Sequence, residues 1–151
     1  MAREVFFPRV TILSVPIHAI LVPFPIVCFT GAMLTDITYS NSPQVQWANF
    51  SQWLLAVGLI IGVLAAIFGL IDFLAAGRTR PRIGWFHLIG NVIVLLLAFF
   101  NNLIHSRDGW TGVVPTGLAL SVITVLLMVV TGFLGHFIAY RRVARVEGDR
   151  S

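Results

Sequence analysis

The sequence contains no lysine, one cysteine, and charged residues at only 11% of its 151 positions. Soluble domains carry about a quarter. So few charges cannot cover a water-facing surface, which excludes a soluble globular domain. No sizeable cationic domain exists to bind nucleic acid. Cys28 stands alone, so no intrachain disulfide closes, and no C-x-x-C pair is present for zinc or an iron–sulfur cluster. A Ser-His-Asp order, a phosphate loop and paired catalytic carboxylates are also missing. These absences leave no soluble substrate and no enzyme class in view.

What is present is apolar. Hydrophobic residues make up 58% of the chain, and the mean hydropathy is +0.92. Four stretches reach the roughly 20 apolar residues needed to cross about 30 Å of hydrocarbon. They run over about 16–39, 52–76, 84–104 and 115–140. Asn41-Ser42-Pro43, Gly77 with Pro81, and Asp108-Gly109 separate them. Trp47, Trp53, Trp85 and Trp110 fall near their ends, where interfacial aromatics gather. The sequence therefore predicts one all-α membrane domain over 1–151, a bundle of four transmembrane helices. The first stretch holds three prolines and lacks a small-x-small cleavage site, so it reads as a mature helix rather than a signal peptide.

The net charge of +4 and pI near 10.6 come from arginine placement. Arg3 and Arg9 precede the first stretch. Arg78, Arg80 and Arg82 fill the second connection, and Arg141, Arg142, Arg145 and Arg150 follow the last. Only Arg107 lies in the alternate connections. The positive-inside rule then puts both termini in the cytoplasm. Contact of Arg78–Arg82 and Arg141–Arg145 with anionic lipid is a background effect.

A 3.6-residue period divides each helix into faces. In the third, His87, Asn91, Val94, Ala98, Asn101, Asn102 and His105 share one polar stripe, which lipid tails cannot satisfy. The second carries Gly58, Gly62, Ala65, Gly69, Asp72 and Ala76, small residues that let backbones approach closely. The fourth repeats this with Gly117, Ser121, Thr124, Met128, Thr131 and Gly135. The first lines up His18, Val22, Pro25, Phe29, Ala32 and Asp36. Pro23 and Pro25 lack N–H groups, so the carbonyls of Ala19 and Leu21 lose helical partners and a kink is expected there. His18, Asp72, His87 and His136 thus gather toward one end, one on each helix. Asp36, Asn101, Asn102 and His105 form a looser set at the other.

At these positions the chain resembles the bacterial membrane-protein family catalogued as domain of unknown function 2231. That family's His-Pro-x-x-Val-His-Phe-Pro signature matches His18-Ala19-Ile20-Leu21-Val22-Pro23-Phe24-Pro25. Its Gly-x-x-Asp matches Gly69 to Asp72, and its His-x-x-x-Asn matches His87 to Asn91. Its Thr-Gly-x-x-Gly matches Thr131-Gly132-Phe133-Leu134-Gly135, adding Gly132 to the packing glycines. Two departures matter: Pro23 stands for the second histidine, and His136 for the usual glycine. The resemblance implies a redox neighbourhood, since related domains occur joined to Rieske or cytochrome modules.

The expected role of His18, Asp72, His87 and Asn91 is a polar cluster tying the helices together in a small non-catalytic subunit of, or partner to, a larger electron-transfer complex. Other membrane subunits and the bilayer are the expected partners. A second reading makes His18 and His87 a bis-imidazole pair for b-type haem, with Gly90 and Ala98 making room. A third is a metal set of His18, His87 and Asp72. A fourth is a proton path between Asp72 and Asp36, interrupted by an apolar middle. The expectation for His105 is a solvated helix end, for Asp36 an acid near water, and for His136 a snorkelling side chain. Asp72 is the acid expected to be buried.

Overall fold

A computed structural model describes residues 11–12, 15–77, 82–107 and 113–148, with side chains to residue 139. The described residues begin with two antiparallel two-residue strands, β1 (Thr11–Ile12) and β2 (Val15–Pro16), pairing Thr11 with Pro16 and Ile12 with Val15. Five helices follow: α1 (Ile17–Leu21), α2 (Pro23–Asn41), α3 (Val45–Ala75), α4 (Ile83–His105) and α5 (Leu118–Gly148). Helices α1 and α2 together make the first apolar span, and four spans in all are long and apolar enough to cross a membrane.

Proline sets the break between α1 and α2. Val22 keeps helical dihedrals and its N–H still reaches His18 O at 3.1 Å. Pro23 and Pro25 cannot donate to the carbonyls one turn back, so the ladder stops and restarts. Helix α3 starts at Val45, ahead of the apolar stretch that begins near Gln52. Hydropathy marks the part facing lipid, whereas helical hydrogen bonding continues past it. Its 31 residues rise about 46 Å, well over the hydrocarbon thickness. Gly77, at φ +53°, follows the helix end in the left-handed conformation that glycine adopts without strain. Before α5, Val113–Gly117 is an irregular turn in which Val114 leaves the helical region. Its Val114–Pro115 bond is cis.

Helices α2 and α3, α3 and α4, α4 and α5, and α5 and α2 pack side by side, closing a four-membered ring. The central core is Phe29, Ala32, Leu55, Val94, Ala98 and Met128. Each span contributes from the face that the 3.6 period marked. The outside is apolar too: Val27, Trp53, Ile60, Phe86 and Phe133 are exposed. That inversion suits lipid rather than water, because only a closed hydrogen-bonded helix can present itself to hydrocarbon.

Tight glycine contacts let the helices approach. A Cβ on Gly58 would stand 2.6 Å from Phe29 Cε1 and 2.9 Å from Cys28 Cβ, and one on Gly62 2.8 Å from Leu95 Cδ2. Gly132 corrects the expected packing set: it is exposed, and a Cβ there would meet nothing within 4 Å. It follows the inward-facing Thr131 by one residue, which turns it about 100° off the seam.

Candidate functional site

The two ends of the bundle are built differently. At the end bearing Gly77 and Arg82, two histidines face each other across the bundle. His18, on α1, donates from Nδ1 to the carbonyl of Ala65 on α3 at 2.8 Å. His87, on α4, donates from Nδ1 to the carbonyl of Thr131 on α5 at 2.9 Å. A carbonyl accepts only, so each Nδ1 carries a proton, and Nε2 is the nitrogen that offers a lone pair when the ring is neutral. Asn91 Nδ2 donates to His87 O at 2.7 Å and lies 3.3 Å from both ring nitrogens of His87.

Glycine makes this arrangement. A Cβ on Gly69 would lie 2.7 Å from His18 Nδ1, and one on Gly135 would lie 2.8 Å from His87 Cε1. Each ring is therefore seated against a bare backbone on the neighbouring helix. Gly90 and Ala98, expected to make room for a ring group, do other work. Gly90 is filled by Thr131 Cγ2, and Ala98 is in the central core. The two imidazole centroids are 6.3 Å apart and their planes are at 88°.

A cleft of about 460 Å³ opens beside them, lined by both histidines with Asp72, Asn91, Thr131 and His136, among apolar neighbours. Mostly apolar walls with a few convergent polar groups are the usual character of a ligand cleft, and the volume falls in the usual range. Asp72 is half-buried rather than sealed in, and His136 is exposed on the cleft wall. Among the described residues no group of three or more His, Cys, Asp or Glu side chains could hold a metal ion. The set of His18, His87 and Asp72 is thereby corrected: its members line one cleft without converging on a point.

The opposite end is closed. Asp36 is fully buried and His105 nearly so, 7% exposed. This overturns the expectation of an acid near water and a solvated helix end, and it reverses the order of the two acids, since Asp36 is the sealed one. The Asp36 carboxylate accepts from Ser51 Oγ on α3 at 2.5 Å, from His105 Nε2 on α4 at 2.8 Å, and from Ser121 Oγ on α5 at 2.5 Å. One side chain of α2 thus holds all three other spans. Ser51 lies just ahead of the apolar stretch and is the partner the sequence reading missed. It falls on the Leu55–Gly58–Gly62 face extended back by one turn, which was the available signal.

Of the arginines expected to set topology, Arg82 is exposed at the start of α4. Arg78 and Arg80 lie outside the described residues, as do the side chains of Arg141, Arg142 and Arg145.

A family model described as predicted membrane protein (DUF2231) matches residues 14–148. The chain belongs to that family. No curated protein matches the chain, and no solved structure does.

Proposed function

We propose that this membrane protein is a small b-type cytochrome, with His18 and His87 holding one haem through their Nε2 atoms. The carrying observation is the paired imidazoles: centroids 6.3 Å apart, each Nδ1 committed to a carbonyl. With each Nδ1 engaged by a carbonyl, His18 and His87 would hold the haem iron through Nε2. The Nδ1–H bonds to Ala65 and Thr131 fix the tautomer and orient each ring. Gly69 and Gly135 leave the rings their seats. Asp72 and His136 give the cleft a polar margin, while its apolar walls restrict water. One-electron exchange is the chemistry a bis-imidazole haem supplies when bound.

An electron carrier receives from one protein and passes to another. That fits the expected setting as a subunit of, or partner to, a larger redox complex. The arginine distribution supports a bacterial inner membrane with cytoplasmic termini, and so a site near the cytoplasmic face. The test is the visible spectrum of protein purified from haem-replete cells. A sharp Soret band, lost in both His18→Ala and His87→Ala at unchanged helical circular dichroism, is expected. Colourless, folded wild-type protein overturns the proposal.

A further inference from the structure

Asp36 and His105 lie at the end of the bundle that the haem proposal does not use, and their hydrogen bonds settle where protons sit. Ser121 receives Asn101 Nδ2 at 2.7 Å. That leaves its hydroxyl hydrogen free to point at Asp36 Oδ2. Ser51 Oγ points at Oδ1, with Thr35 Oγ1 2.7 Å behind it. His105 Nδ1 stands 2.9 Å from the carbonyl of Asn101, which accepts only, so Nδ1 carries a hydrogen. Nε2, 2.8 Å from Oδ1, faces a carboxylate already met by two hydroxyl donors.

A site made of donors selects an ionised acid, and an ionised acid in a sealed, low-dielectric position selects a hydrogen on Nε2 as well. We propose that Asp36 and His105 form a buried proton-binding site, in which the imidazole holds a second proton against the carboxylate and thereby fastens the four spans together at this end. The balance is simple. From neutral imidazole and bare carboxylate, one proton is taken from solvent and held between Nε2 and Oδ1, leaving the pair with no net charge. Loss of that proton at alkaline pH strands a buried anion.

The described surroundings supply no substitute charge. Among the described residues, Tyr39 on α2 is the other buried titratable side chain at this end. Ser51 and Ser121 are what α3 and α5 present, and Arg107 beyond α4 is exposed.

Nitrogen-15 NMR of histidine-labelled full-length protein in micelles reads the site directly. At neutral pH the ring whose signals vanish in His105→Gln should show two protonated nitrogens. Should that variant not fold, substitution of His18, His87 and His136 in turn assigns the ring by elimination. A bare nitrogen on His105 at neutral pH overturns the proposal. A second readout is the melting temperature over a pH series. The wild type should lose stability toward alkaline pH, while His105→Gln, whose amide donor has no such proton to lose, should lose that slope. Parallel wild-type and variant profiles contradict the site.

Discussion

Asp36 shows how much one side chain can be asked to hold. Its two oxygens receive Ser51, His105 and Ser121 in a fully buried position. Removing the acceptor leaves two hydroxyls and an imidazole without their partner. Breaking a buried pair by deleting one member costs about 3–5 kcal/mol. Asp36→Leu should therefore lower the melting temperature and yield in detergent far more than Asp72→Leu, whose residue is half-buried at the rim of a cleft. Equal losses would contradict the assigned burial. Thr124 makes the opposite case: among the described residues its buried Oγ1 has no hydrogen-bond partner. Thr124→Val keeps the shape and removes the unpaired hydroxyl, so stability should hold or rise. A clear drop in melting temperature would show that the hydroxyl has a partner. The depth of Asp36 was not legible in the sequence. A carboxylate near the end of an apolar stretch looks the same whether it meets water or three donors, and those donors come from helices with no fixed spacing to it.

Helix faces, by contrast, were legible. Side-chain direction repeats every 3.6 residues whatever the tertiary context, and lipid tolerates no uncompensated polar stripe, so His87–Asn91–Val94–Ala98–Asn101 had to face inward. What the period does not give is the contact across a face. Gly58 and Gly132 both belong to glycine motifs, yet one abuts Phe29 and Cys28 and the other abuts nothing. Gly58→Ala should destabilise by about 1–3 kcal/mol, because the Cβ of Cys28 is fixed to backbone and cannot swing away. Gly132→Ala should be neutral or stabilising by up to about 1 kcal/mol through helix propensity. Thermal melts of the two variants side by side decide this, and a reversed order would mean that the seam lies on the other face of α5.

For the whole molecule, composition fixed the class early, since a chain this poor in charge has no other solvent to fold in. It did not foretell that the two polar ends differ in kind. One is sealed around a carboxylate. The other is an open cleft where each histidine is anchored to a carbonyl on a neighbouring helix, at Ala65 and Thr131. The cleft follows from three-dimensional packing of rings on Gly69 and Gly135, and single-helix patterns mark those glycines only as small. Orientation is a whole-molecule property as well. The arginine distribution predicts cytoplasmic termini, so a C-terminal alkaline phosphatase fusion should be inactive and a C-terminal fluorescent-protein fusion bright; the reverse pair of signals would turn the molecule over.

The open end carries the central claim, and a haemin titration of detergent-purified, haem-depleted protein meets it most directly. The expected result is a Soret shift that saturates at one haem per chain. It should come with a highly anisotropic low-spin electron paramagnetic resonance signal, as perpendicular imidazole planes give, and both should be missing in His18→Ala and His87→Ala. Folded wild-type protein that leaves the haemin spectrum unchanged, or variants that bind as the wild type does, would contradict it.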